Sequence, residues 1–320
     1  MEIKGKDKRD IAAELFKKYA IVLVLILLIM ILSLLSPQFL KIGNIKNILR
    51  QISVVTIMSF GVNFVIITAG IDLGLGSYVA LASVVSAIIA KAGHPVVFAL
   101  LAALGIGLLI GMINGAIISG CRIPPFIVTL GMTQITRGAA LLITNGKPVS
   151  LLGDGYTFFG KGNFLGIPMP VVIMLLVFVI SSIKLNNMKF GKYTKAIGGN
   201  ETAAKISGIN TGLYKFYAYA FAGLCCGIAA IVLTGRIDSG QPGLAIGYEL
   251  DAIAAAVVGG TGLNGGIGTM WGAFVGSLII GSLNTGLNLL NVSSYWQQVC
   301  KGMIIIIAII LDERKNRVKA

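Results

Sequence analysis

The distribution of charge constrains this chain more than any other feature. Tyr19–Leu40 contains no Asp, Glu, Lys or Arg; neither do Gln51–Ile71, Gly162–Ile183 and Phe216–Gly235, and Ala252–Cys300 is uncharged throughout. A helix that crosses a bilayer needs about 20 mostly apolar residues. Several such runs in 320 residues, with 12% charged residues overall, predict an all-α polytopic membrane protein and exclude a soluble domain. We expect about ten transmembrane helices, roughly at 19–36, 51–70, 77–91, 95–119, 123–144, 166–184, 214–235, 246–260, 268–290 and 295–311. The first run is expected to be a retained anchor. Its apolar core exceeds the about 7–15 residues of a cleaved leader, and "SPQFLKIGN" offers no small-x-small cleavage site.

The formal charge of +14 does not require nucleic acid. Excess Lys and Arg mark cytoplasmic flanks in membrane proteins. With ten spans and a cytoplasmic N-terminus, 17 basic residues fall on inside segments and seven outside, while Arg137 and Lys301 fall within spans. Both termini and the 185–213 loop are therefore expected in the cytoplasm. The basic 1–18 segment and the 312–320 tail flank a single membrane domain in a bacterial cytoplasmic (inner) membrane. Cys121, Cys225, Cys226 and Cys300 have no metal-ligand spacing and read as small buried residues. His94 cannot build a metal site alone, so no metal is expected.

Two stretches are expected to interrupt their helices. "ITAGIDLGLGS" (67–77) places Asp72 between glycines, and "GYELDAIAAAVVGGTGLNGGIG" (247–268) has an apolar core, Ala252–Val258, too short to cross a bilayer. Unwound backbone is tolerated at membrane depth only where protein covers it or where it lines a cavity. Both stretches therefore read either as tight turns at the membrane face or as discontinuous, re-entrant segments near 70–77 and 246–268. Intramembrane polar groups are costly and usually functional. The candidate translocation path comprises Asn63, Asp72, Asn114, Thr129, Thr133, Gln134, Glu249, Asp251 and Asn284. Arg137 and Lys301 are candidate buried charges that each need a partner, and Glu249 and Asp251 are the available acids.

"GYTFFGKG" (155–162) nearly matches a phosphate-binding loop. Gly162 stands where that loop needs a hydroxyl, and no strand precedes it. No nucleotide site, catalytic triad or metal set is expected, so an ATP-driven protein of this kind would need ATP and Mg on another chain.

Within 185–213, "GGNETAAKISGI" has the signals of a short helix. Asn200 is an N-cap, Glu201 and Lys205 stand four apart, and Gly208 is a C-terminal stop. A helix of about seven residues cannot persist alone in water, so it needs a docking surface, either on its own bundle or on a soluble partner.

"FGKYTKAIGGNETAAKISGI" resembles the coupling loop in permease subunits of bacterial ribose-type simple-sugar ABC importers. "ITAGIDLGLGS", "INGAIISGCRIPPFIVTLG", "GYELDAIAAAVVGG" and "GLNLLNVSSYWQQVCKG" also resemble that family, in order, from about residue 20 to 312. "GGTGLNGGIGTMWG" departs modestly from the family's usual form. The resemblance implies a homodimeric permease. Its partners would be a tandem-domain ATPase subunit that binds ATP and Mg and an extracytoplasmic sugar-binding protein. It implies that Gly198, Gly199, Asn200, Glu201, Ala203, Ala204, Lys205, Ser207 and Gly208 couple to the ATPase, with Glu201–Ser207 as the coupling helix. The cargo stays open between ribose, another pentose or hexose, a nucleoside and a signalling sugar. An ion-coupled secondary transporter is the competing class, against which the acids stand at helix ends. A membrane enzyme lacks a candidate nucleophile.

Overall fold

The uncharged runs fold as helices because a helix satisfies its own backbone inside an apolar medium. In the computed structural model, which describes residues 8–317, thirteen helices follow one another. They are α1 (Lys8–Leu35), α2 (Ile42–Ile67), α3 (Leu75–Lys91), α4 (Val96–Cys121), α5 (Pro125–Thr144), α6 (Asp154–Lys161), α7 (Met169–Asn186), α8 (Lys189–Gly199), α9 (Glu201–Ile206), α10 (Thr211–Ile237), α11 (Tyr248–Val258), α12 (Met270–Leu289) and α13 (Ser294–Arg317). The first seven residues of the basic N-terminal segment and the last three of the tail lie outside the described residues. Short strands pair antiparallel as β1 (Val149–Ser150) with β4 (Ser239–Gly240), and β2 (Asn163–Phe164) with β3 (Ile167–Pro168).

Each expected apolar run contains a helix, but the helices are not equivalent. Among the described residues, six of them, α2, α4, α5, α7, α10 and α12, are long and apolar enough to cross a membrane. α11 covers 11 residues, about 16 Å at 1.5 Å per residue, which is roughly half the hydrocarbon thickness. The 185–213 segment is not a loop but two further helices, α8 and α9. The "GYTFFGKG" stretch is helix α6, and its Gly160 packs on the α10 backbone at Gly235 and Arg236.

α2, α10 and α12 are mostly buried, whereas α4, α5 and α7 bury one face and leave apolar residues such as Phe98, Leu101, Leu142 and Leu176 exposed. A helix apolar on all sides but buried on one has hydrocarbon as its remaining neighbour. Among the described residues, the central core gathers Phe64, Phe221, Phe60 and Phe178, with Phe64 and Phe221 edge-to-face at 5.3 Å. The Lys184 ammonium lies 4.4 Å from the Phe221 ring centre and 5.4 Å from that of Phe190, joining α7, α8 and α10. Cys225 and Cys226 are buried here as small residues, whereas Cys121 is exposed at the end of α4.

Glycines set the closest helix contact. Along α4 and α10, a Cβ on Gly107 would collide with the Gly223 carbonyl and lie 2.7 Å from the Gly227 nitrogen. One on Gly111 would lie 3.0 Å from Ala220 Cα and 3.1 Å from Gly223 Cα. Small residues permit such approach where water supplies no driving force between helices. Gly105, on the same helix, has open space around it. We therefore expect Gly111→Leu to destabilise the detergent-solubilised chain by about 3 kcal/mol or more, because backbone cannot yield to the added side chain. Gly105→Leu should stay within about 0.5 kcal/mol. Thermal unfolding of the two variants side by side checks this, and equal losses would contradict it.

Candidate functional site

The expected interruptions are real, and they meet. α2 ends at Ile67 and α3 begins at Leu75; the N–H groups of residues 68–70 still bond back to the last turn of α2, and residues 71–74 cross to α3 without such bonds. Side chains take over that backbone. The Asp72 Oδ1 accepts from the Gly74 N–H at 2.9 Å and from the Tyr78 hydroxyl at 2.9 Å. Asn114 of α4 in turn donates to the Tyr78 hydroxyl at 2.7 Å. The Thr129 hydroxyl of α5 accepts from the Leu73 N–H at 3.4 Å, and the Thr133 hydroxyl donates to the Leu73 carbonyl at 3.3 Å. Tyr219 of α10 donates to the Ile71 carbonyl at 3.3 Å.

The second interruption, 259–269 between α11 and α12, is held by Asn63. Its Oδ1 accepts from the Thr261 hydroxyl at 2.6 Å, and its Nδ2 donates to the Thr269 carbonyl at 3.2 Å. One amide on α2 thus clasps both ends of the glycine-rich turn. Gly266 then donates its N–H to the Ile67 carbonyl at 2.9 Å, which ties this turn to the end of α2. Asn63, Asp72, Asn114 and Thr129 are 0% exposed. In this conformation each of these candidate path residues bonds within the chain, while Asp72 Oδ2 and Asn114 Oδ1 are buried without a partner. Gln134 differs from them, being exposed on α5.

The short helix rests on the same junction. A Cβ on Gly198, at the end of α8, would collide with the Ile67 carbonyl and the Gly266 N–H. Gly265, at φ +86°, is held where a Cβ would lie 2.9 Å from Gly198 Cα. Beyond it, Asn200 caps α9, its Oδ1 accepting from the Ala203 N–H at 2.9 Å. Gly208, at φ +83°, follows the end of the helix. Ala204 is buried, while Ala203, Lys205 and Ser207 are exposed and Gly199 has open space around it. Glu201 pairs with Lys215 of α10 at 2.6 Å rather than with Lys205. Both Glu201 and Lys205 lie within α9, and Glu201 turns instead to α10, which lies behind the helix. That exposed pair contributes at most about 1 kcal/mol, so the caps and the Ala204 contact carry the docking. Ile206 is 82% exposed, a large apolar side chain offered outward on α9 that the sequence reading passed over.

The buried charges find different partners. Lys301 of α13 donates to the Asp251 Oδ2 at 2.9 Å. Arg137 does not pair with an acid. Its guanidinium donates to the carbonyls of Pro242 at 2.6 Å and Leu244 at 2.8 Å, in the turn that leads into α11. Glu249 accepts instead from the Gly247 N–H at 3.2 Å. Asn284 lies near the Asp251–Lys301 pair, across a shared cavity. Among the described residues, no group of three or more His, Cys, Asp or Glu could hold a metal.

With this geometry in view, comparison with known proteins is direct. Residues 44–309 match the family described as "Branched-chain amino acid transport system / permease component". The ribose import permease protein RbsC of Bacillus subtilis (strain 168) is 45% identical over 317 residues, covering 98% of each chain. RbsC of Escherichia coli (strain K12) is 44% identical over 308 residues, covering 95% of this chain and 96% of that one. The D-allose transport system permease protein AlsC of the same strain is 36% identical over 311 residues, covering 96% and 95%. No solved structure matches the chain. Together with its apolar helices, these matches make it a multi-pass protein of the bacterial cytoplasmic membrane, and the chain belongs to the family of permease components of branched-chain amino acid transport systems.

Proposed function

We propose that this chain is the membrane-spanning permease subunit of an ATP-driven importer of simple sugars, with ribose the first cargo to test. The observation that carries the coupling half of this reading is α9, a helix capped at both ends, anchored inward by Ala204, that presents Ala203 and Ile206 outward. Such a projecting element suits the cleft of a separate, tandem-domain ATPase that holds ATP and Mg. The cargo half rests on relatives named for ribose, D-allose, L-arabinose and galactose. They favour a sugar over the amino acids in the family's description, and keep other pentoses and hexoses as the second reading. An extracytoplasmic sugar-binding protein would deliver the cargo.

The proposed topology has ten membrane helices with both termini and the 185–213 segment in the cytoplasm. The basic split of 17 inside to seven outside supports it, with α11 as a half-length helix completed by the turn after it. Two copies would flank the path. α5 supports this, because Gln134 is exposed between Gly131 and Gly138, which have open space around them. An amide on a lipid-facing surface is unfavourable, so a second copy or a polar path is its better neighbour.

Purified chain in proteoliposomes should take up no ribose by itself. It should do so when the ATPase, ATP and the binding protein are supplied. Uptake by the chain alone, driven by an ion gradient, would sink the ATP-driven reading. At α9, Ala203→Trp and Ile206→Glu should each abolish co-purification of the ATPase while membrane insertion is unchanged. Normal co-purification with both variants would contradict the coupling role.

A further inference from the structure

α11 begins beside a partly open cavity of about 120 Å³ lined by residues of α2, α11, α12 and α13. Its polar wall is the Asp251–Lys301 pair with Asn284, Asn288 and Gln297; its apolar wall is Ile52 and Ile280, with the Tyr248 side chain beside them. Lys301 stands seven residues into α13, about 10 Å along the helix axis, while Asn288 at the cavity's edge is exposed.

The donors and acceptors in this wall are not all used. Gln297 donates to the Asn288 Oδ1 at 2.8 Å and to the Val292 carbonyl at 2.9 Å, which orients both amides. The Lys301 ammonium has three donors, and among the described residues only Asp251 accepts from it. The Asn284 Oδ1 is buried with no partner. Such a group costs about 1–3 kcal/mol unless a guest satisfies it.

The wall also discriminates between guests. The pair carries no net charge, so Lys301 opposes a cation and Asp251 opposes an anion. An apolar guest would leave the amides unpaired, which is costly in a low-dielectric setting. A neutral polyhydroxylated molecule has hydroxyls, each both donor and acceptor, on its edges and C–H groups on its faces. It matches the polar wall and the apolar wall together. The volume is roughly ten times the ~10–15 Å³ that one water requires, the size class of a molecule of about ten heavy atoms.

We propose that this cavity is a monosaccharide-binding site, sized for a pentose, in which Lys301 and the Asn284 amide take the hydroxyls and the Tyr248 side and Ile280 take the ring's apolar face. The site deepens the sugar-import reading above and rests on it. It places a stop for the cargo at the start of the half-length helix α11, where broken membrane helices characteristically hold their substrates.

The test is saturation-transfer NMR on the purified chain in nanodiscs, with D-ribose and L-leucine as probes. The wild type should transfer magnetisation to D-ribose and not to L-leucine. Asn284→Leu should bind D-ribose about tenfold more weakly, the effect of losing one hydrogen bond to a buried group. If Asn284→Leu does not purify as a folded protein, Asn284→Ala, which removes the same amide without adding bulk, takes its place with the same expectation. Absence of transfer to D-ribose from the wild type, or equal transfer from wild type and variant, overturns the site. ATP-dependent ribose uptake by the full complex is measured in parallel. Normal uptake with no binding at the cavity removes this inference alone, whereas no uptake by the wild-type complex removes the sugar-import reading.

Discussion

Backbone satisfaction at the two broken segments is the constraint on which the rest of the structure depends. Residues 68–70 and 259–261 still bond back to their helices, but residues 71–74 and 262–269 leave them inside an apolar bundle, where each unpaired N–H or C=O costs several kcal/mol. The side-chain bonds that answer this are individually small, averaging about 0.6 kcal/mol between membrane helices. Their value lies in removing the larger penalty. Asp72 bonds Gly74 and Tyr78, the Thr129 and Thr133 hydroxyls bracket Leu73, and Asn63 clasps Thr261 and Thr269. In this conformation these polar residues also hold the backbone where a helix stops and restarts.

The same arrangement gives the permease a route from cytosol to bundle. The two breaks converge at the end of α2, where the Ile67 carbonyl accepts from Gly266 and Gly198 of α8 approaches so closely that no side chain fits between them. Contact of backbone with backbone has little compliance, because packed interiors resist compression. A displacement of α9 is therefore passed to the 259–268 turn and from there to α11 and α12. In the proposed transporter, this is how an ATPase that grips α9 acts on a helix whose first turn carries Asp251. Facing glycines on α4 and α10 hold the neighbouring frame fixed while that happens.

Much of this was legible in the sequence, where the signal is local. Each of the ten apolar runs contains a helix, whereas α6 and the lysine-bearing α8 had no such signal; Ala252–Val258 is too short to span, as α11 confirms at 11 residues. Asn200 and Gly208 delimit α9 because capping depends on residues three positions apart. What depends on distant neighbours was not legible. Glu201 turns to Lys215 because α10 lies behind it, and Arg137 is met by the Pro242 and Leu244 carbonyls, which carry no sequence mark of charge. Polarity alone does not say which way a side chain points. Asn63, Asp72 and Asn114 proved buried, while Gln134 on α5 is exposed. Tyr78, the hydroxyl that joins Asp72 to Asn114, lies in an apolar run, and Ile206, the outward apolar residue of α9, sits in a short polar stretch; only their placement distinguishes them.

The central claim is that the helices α8 and α9 and the 259–268 turn move as one body. Pulsed electron paramagnetic resonance between spin labels at Lys205→Cys and Asn264→Cys tests it directly. The labels are placed in a chain whose Cys121 and Cys300 are serine, assembled with its ATPase. The account predicts the same distance distribution with and without bound ATP. A distribution that shifts or broadens on ATP binding would show α9 sliding over the turn, and would contradict it.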